Sequence, residues 1–157
     1  MDKNEFRNAF DERKWFYLIE YSEVWDFIKD YDNKDTIIDI MRSLDEFVIE
    51  KRNTNSQYEI TEILRLNNID ARQDIWKIVK EVMKTDKSHR LAKKIRTWVS
   101  QLYETTTEQN LMWKKRKYHI RIIPQRKLNE YIPKHEDVHL IVSQARKLRD
   151  KAIILTM

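Results

Sequence analysis

The chain has 157 residues and a formal net charge of +5, and it is 36% charged and 41% hydrophobic, which suits one folded domain or one domain with part of a second. The absence of glycine excludes the glycine-rich loops that hold nucleotide phosphates, and the absence of cysteine excludes disulfides, thiol catalysis and cysteine-bound metal. No apolar signal segment opens the chain and no run approaches the ~18 apolar residues of a membrane span, so we expect a soluble, intracellular protein with no membrane partner.

Positive charge is concentrated in one part of the sequence. From Lys77 to Lys127 there are 15 lysines and arginines against 4 acidic residues, whereas residues 1–76 hold 11 basic and 18 acidic residues. A concentrated positive field attracts a polyanion, so nucleic acid is the first partner to consider.

Apolar residues at helical spacing predict a series of helices in the first half of the chain. The aromatic-rich residues 5–30 predict one or two amphipathic helices, the second capped by Ser22. A long helix is expected over residues 35–51 and a shorter one over 60–66. Asp70 is the expected cap of the helix that follows.

A further helix, opened by Asp86 or Ser88, carries an apolar face and a stripe of cations beside it. The stripe contains the cations Lys87, Arg90 and Lys94. A solvated surface is the ordinary interpretation of such a stripe, but no acidic residue follows its cations at the spacing of a surface ion pair until Glu104. We therefore favour contact with DNA.

From Trp113 to Ile123 the helical period gives way to alternation of apolar and basic residues, which predicts an extended segment. Its basic residues and those just beyond it are Lys114, Lys115, Arg116, Lys117, Arg121, Arg126 and Lys127. An extended basic segment with interleaved aromatic residues can track a phosphate backbone. Three other interpretations stay open: a disordered linker, an edge strand protected by lysines, and a nuclear-localisation patch.

Residues His135 to His139 match the H-E-x-x-H motif of zinc hydrolases letter for letter. The motif lies in the first helical turn after Pro133, Asp137 adds a charge inside it, and Asp150 is the sole downstream carboxylate for a third ligand. A coincidental match explains these features better. We expect no metal, no other cofactor and no small-molecule substrate, and we keep zinc hydrolysis as the weakest hypothesis.

The last part of the sequence resembles the start of the catalytic domain of the tyrosine recombinases, or phage integrases, including their archaeal integrase-like branch. Tyr131 to Ile141 is similar to the x-P-x-x-E-E-V-x-x-L-L helix of that family, and Leu148 to Leu155 to its R-D-[RK]-A-[IL]-[IL] helix. The resemblance implies an all-α chain with a small, SAM-like core-binding bundle over residues 1–112. A basic extended linker over 113–132 and the first two helices of a truncated catalytic domain over 133–157 would follow.

The resemblance also implies a clamp in which the two domains cover opposite sides of double-stranded DNA. The tyrosine nucleophile and its assisting arginines, histidine box and lysine would begin beyond Met157, so the chain would bind DNA, alone or as a homo-oligomer, and would not recombine it. A cytoplasmic, prokaryotic or viral protein is implied. The expected phosphate contacts are Lys87, Arg90, Lys94, Lys114, Lys115, Arg116, Lys117, Arg121, Arg126 and Lys127.

A hypothesis of a different class is an all-helical protein–protein interaction module. Its acidic half, residues 1–76, would dock on the basic half of a neighbouring copy, and salt would disrupt the association.

Overall fold

A computed structural model describes residues 2–86 and 88–124, and in these residues the chain is all-helical, which confirms the predicted small helical bundle. The described helices are α1 (Lys3–Ala9), α2 (Ser22–Ile28), α3 (Lys34–Arg52), α4 (Thr61–Leu64), α5 (Asn68–Thr85) and α6 (Arg90–Thr107), with 3-10 turns at Phe16–Glu20 and Arg116–Tyr118. The two helices expected within 133–157 lie outside the described residues.

Side-chain caps fix where the long helices begin. The Asn33 side chain accepts hydrogen bonds from the backbone N–H groups of Asp35 and Thr36, so α3 begins one residue before its expected start. For α5 the cap is Asn67, whose side chain accepts from the N–H of Asp70 at 2.9 Å. The cap predicted at Asp70 is therefore wrong, because α5 begins at Asn68 and Asp70 lies inside its first turn.

Helix α6 begins at Arg90 with His89 as its cap residue, so neither Asp86 nor Ser88 is the adjacent cap, and a polar turn precedes the helix. The Asp86 carboxylate accepts hydrogen bonds from the N–H of Leu91 at 2.9 Å and from the N–H of Ser88 at 3.3 Å. His89 precedes the first helical residue in a left-handed conformation, with φ of 59°. Asp86 thus opens the helix from outside its first turn, through its side chain rather than as the adjacent cap residue.

The aromatic residues between positions 5 and 30 hold two short helices and a 3-10 turn together. The Phe6 ring centroid lies 4.7 Å from that of Phe10 and 5.6 Å from that of Trp25, and Phe6 is 2% exposed. The chain leaves α1 through Asp11, whose φ is 53°. Tyr21 is the cap residue of α2 and makes no side-chain cap bond, so the cap predicted at Ser22 is wrong.

Helix α6 contacts α2, α3, α4 and α5, and the core lies around it. Its buried face packs against the apolar faces of the two other long helices, which are as fully buried. The fully buried members of this core include Ile40, Leu44, Phe47, Ile75, Val79, Ile95, Val99 and Leu102. Burying each such side chain stabilises the fold by about 1.5–3 kcal/mol, so α6 is fixed as firmly as any element of the bundle.

The segment expected to begin an interdomain linker is packed on the bundle. The first compact unit extends to Ile122, and a second unit that begins at Ile123 is described as far as Pro124. Tyr118 and Ile120 are buried, whereas His119 and Arg121 are exposed. The predicted alternation is therefore found in burial, without formation of a strand in the described residues.

Candidate nucleic-acid interface

Seven of the ten predicted DNA contacts fall on described residues, and all seven are exposed: Arg90, Lys94, Lys114, Lys115, Arg116, Lys117 and Arg121. The other three, Lys87, Arg126 and Lys127, lie outside the described residues. Two elements therefore carry the described candidates, the first turns of α6 and the segment that follows Met112.

Polar contacts attach the basic segment, residues 113–121, to helix α6. The indole Nε1 of Trp113 donates to Ser100 Oγ at 2.9 Å, and the Arg96 guanidinium donates to the backbone carbonyl of Tyr118. His89 Nδ1 lies 3.1 Å from the backbone carbonyl of Arg121. Because the chain advances from 113 to 121 as its contacts move back from 100 to 89, the basic segment runs antiparallel to α6.

Aromatic contacts fix the same segment against α5. The ring centroids of Trp113 and Tyr118 lie 5.0 Å apart, and Trp76 of α5 lies 6.3 Å from the first and 5.2 Å from the second. Arg72 lies over Tyr118 at 5.7 Å and Arg96 over Trp113 at 5.8 Å. Such pairs each stabilise by about 0.5–1.5 kcal/mol beyond area burial, so the backbone that carries the four exposed cations at 114–117 is anchored, and Lys117 Nζ itself lies 5.0 Å from the centroid of the Tyr118 ring.

Two clefts beside α6 are rich in cations, and we name them by position. The α6 cleft has a volume of about 470 Å³ and is lined by Arg90, Lys93, Lys94, Thr97, Trp98 and Ile122. The lysine cleft, about 460 Å³, is lined by Arg96, by Lys114 to Arg116 and by His119, with the rings of Trp113 and Tyr118. No carboxylate among the described residues lines either cleft, so the charged side chains of their lining are all cations or histidine.

One candidate cation has an acidic partner that sequence spacing did not reveal. Lys94 Nζ lies 3.0 Å from Asp39 Oδ1, and the two side chains are 49% and 44% exposed. The partner lies on α3, so a search for acidic residues on the same helix could not find it. An exposed pair of this kind contributes about 0–1 kcal/mol. A phosphate can therefore replace Asp39 as the partner of Lys94. No ion pair of the other six candidates with a carboxylate is found in the residues that the structure describes.

Three residues join the site that were absent from the predicted set. Lys93 lines the α6 cleft, and Arg96 and His119 line the lysine cleft. Partial burial lowers the pKa of the Arg96 guanidinium from its ordinary value, which still leaves it charged at neutral pH. Lys93 follows Arg90 by three residues, and residues at that spacing are neighbours on a helix surface. This spacing is the sequence signal that could have identified Lys93.

Acidic groups gather in other clefts of the bundle. A cleft of about 490 Å³ is lined by the carboxylates of Glu62, Asp70 and Asp74 together with Lys51 and Lys77. A groove of about 500 Å³ is lined by Glu20, Glu23 and Glu59 with a single arginine. The separation of charge along the sequence is therefore also a separation between clefts.

The H-E-x-x-H motif has no site in the described part of the chain. The His135–His139 motif lies outside it, and no group of three or more histidine, aspartate or glutamate side chains within it is placed to hold a metal ion. None of the helices in the described residues combines the length and the apolar character needed to cross a membrane.

In comparisons with known proteins, the chain matches no family model, no curated protein and no solved structure.

Proposed function

We propose that this chain binds double-stranded DNA as the DNA-binding part of a tyrosine-recombinase-type protein. The observation that carries the proposal is the exposure of the seven described candidate cations on α6 and on the anchored basic segment, where five of them line two clefts in which no described carboxylate is found. The family assignment is supported by the motifs within 131–155, and the all-helical bundle is consistent with it.

The proposed contacts are made to phosphates. Lysine and arginine side chains that meet DNA phosphates release condensed counterions, so affinity falls steeply as salt rises. Such contacts position a protein on the duplex without selecting a sequence. Four of the cations are consecutive, from Lys114 to Lys117, and the contacts of Trp113 and Tyr118 hold both ends of that run. An anchored run loses less conformational entropy on binding than a free one.

The test is fluorescence anisotropy with a duplex of mixed sequence over a series of salt concentrations. Replacing Lys114 to Lys117 by glutamine should reduce the log–log slope by up to about 3.6, because each lost phosphate contact contributes about 0.9. The control variant removes four positive charges elsewhere, by replacing Lys3, Lys14, Arg65 and Lys77 with glutamine.

The control variant should keep a slope close to that of the wild type, since long-range attraction between exposed charges is screened by salt. An equal loss of slope in both variants would show that the basic segment acts only through its contribution to the net charge. No binding by the wild type at low salt would refute the proposal.

The interaction-module hypothesis is the second candidate, and the groove of Glu20, Glu23 and Glu59 favours it. In that case the acidic groove of one copy would receive the basic segment of another. Sedimentation without DNA distinguishes the two functions. Self-association that salt abolishes, together with the absence of DNA binding, would favour the interaction module.

A further inference from the structure

The α6 cleft differs from the lysine cleft in combining cations with an accessible apolar floor. Trp98 and Ile122 are half-buried, whereas Arg90, Lys93 and Lys94 are exposed. A volume of about 470 Å³ lies in the range of clefts that take small ligands. An apolar floor with a cationic rim suits a ligand that is flat and apolar in one part and anionic in another.

Trp98 is partly buried against the core, and it has fewer aromatic and cationic neighbours than Trp113 of the basic segment. Its one aromatic neighbour in the described residues is Tyr31, with ring centroids 6.3 Å apart and ring planes at 86°, so Tyr31 covers at most one face of the indole. Trp113, by contrast, contacts Arg96, Trp76 and Tyr118. Within the described residues no cation stacks on the Trp98 ring.

We propose that the α6 cleft binds one unpaired nucleobase, stacked on Trp98, with the neighbouring phosphates held by Arg90, Lys93 and Lys94. The inference rests on the proposed function and deepens it, because it names the form of DNA that the site prefers. A base inside a duplex has both faces covered by its neighbours, so an extrahelical or single-stranded base is required for stacking on a side chain. The chain therefore binds DNA that contains an unpaired nucleotide more tightly than fully paired DNA.

The charges around the cleft favour a nucleotide over a peptide. Three cations flank one indole, and a nucleotide in a strand has a phosphate on each side of its base, whereas a peptide needs separate acidic and aromatic side chains in register. Asp39 of α3 pairs with Lys94 at 3.0 Å. This exposed pair is weak enough for a phosphate to replace.

The experiment compares three DNAs of equal length: a paired duplex, the same duplex with one unpaired adenine, and the same duplex with an abasic site in place of that adenine. Wild-type protein should bind the second about tenfold more tightly than the first, because stacking of one base on an aromatic side chain has an effect of that size. The abasic duplex bends in a similar way but offers no base, so it should lose the preference.

Variants at Trp98 test the stacking directly. Trp98→Leu keeps an apolar floor and should abolish the preference, whereas Trp98→Phe keeps a ring and should retain most of it. Thermal unfolding by circular dichroism establishes that both variants are folded. As a second variant on exposed positions, Lys93→Gln with Lys94→Gln should weaken binding of the adenine-bulged duplex at low salt.

Several outcomes would overturn the inference. Equal affinity of the wild type for the paired and bulged duplexes would do so while leaving the proposed function intact. Retention of the preference in a folded Trp98→Leu variant would place the unpaired base elsewhere. Tight binding of a peptide of alternating glutamate and leucine, lost in Trp98→Leu, together with indifference to the bulge, would assign the cleft to a protein partner. Absence of binding to every DNA would refute the proposed function itself.

Discussion

Arg96 joins helix α6 to the basic segment through two contacts. Its guanidinium donates to the Tyr118 carbonyl and lies 5.8 Å from the centroid of the Trp113 ring. Replacing Arg96 by methionine keeps much of the apolar stem, but it removes the donor and the cation together. The Tyr118 carbonyl then loses its partner from α6.

The expected loss follows from the kind of contact. A hydrogen bond from a charged donor contributes about 1.5–3 kcal/mol, and a cation–π contact at a partly exposed site about 0.5–1 kcal/mol. Partial desolvation of Arg96 offsets some of this gain, as the lowered pKa of the guanidinium indicates. We expect Arg96→Met to reduce the free energy of unfolding by about 2 kcal/mol, which corresponds to about 4–8 °C in Tm for a chain of this size.

Urea unfolding followed by tryptophan fluorescence measures the loss. The matched control is Lys93→Met, which makes the same change of charge on the same helix. The Lys93 side chain is exposed and forms no hydrogen bond or ion pair within residues 2–86 and 88–124, so its removal should change the free energy of unfolding by less than about 0.5 kcal/mol. Equal effects of the two substitutions would show that the attachment of the basic segment does not depend on Arg96.

Two further predictions concern the bundle itself. Burial is the larger cause and a 2.6 Å hydrogen bond to Asp45 the smaller cause that raise the pKa of Tyr17 above its ordinary value. The folded state therefore holds the Tyr17 hydroxyl proton more tightly than the unfolded state. The stabilisation from this proton is complete below about pH 10, and above that pH it is lost by up to about 1.4 kcal/mol per pH unit. Urea unfolding at pH values between about 9 and about 11 measures the loss. The free energy of unfolding should decline less over this range in Tyr17→Phe than in the wild type. Asp74→Asn leaves Lys51, whose side chain is 17% exposed, without its counter-charge at 2.5 Å, and should reduce the free energy of unfolding by roughly 2 kcal/mol. Glu81→Gln, in an exposed pair, should change it by less than about 0.5 kcal/mol in the same urea titration, and equal losses in these two variants would contradict the role assigned to burial.

The long helices were predictable because their sequence signals are local. The spacing of apolar residues predicted a helix over residues 35–51, and the observed helix α3 covers Lys34–Arg52. The polar turn before α6 contains Asp86, which the sequence had indicated as a residue near the start of that helix. Caps were harder to place. Asn67 and Asp70 are both good cap residues, and which of them caps α5 depends on where the preceding helix ends.

The basic segment shows what local signals cannot provide. Its alternation was visible in the sequence, yet its attachment depends on Trp76, Arg72 and Ser100, which lie far from it along the chain. The ion pair of Lys94 with Asp39 could not be predicted for the same reason, since Asp39 lies on another helix. Charge density indicated which region carries the candidate site, and tertiary contacts decided which side chains meet there.

The absence of glycine has a consequence for the unfolded chain. A residue with a Cβ atom explores fewer backbone conformations than glycine, so this sequence loses less backbone entropy when it folds than a glycine-containing one of equal length. The compensating strain is confined in the described residues to four left-handed positions, at Asp11, His89, Glu108 and Met112. Aspartate and histidine tolerate that conformation better than most residues, whereas glutamate and methionine bear about 1–2 kcal/mol each. Position 108, at the end of α6, and position 112, immediately before the basic segment, are thus where a glycine would relieve local strain while returning flexibility to the unfolded state.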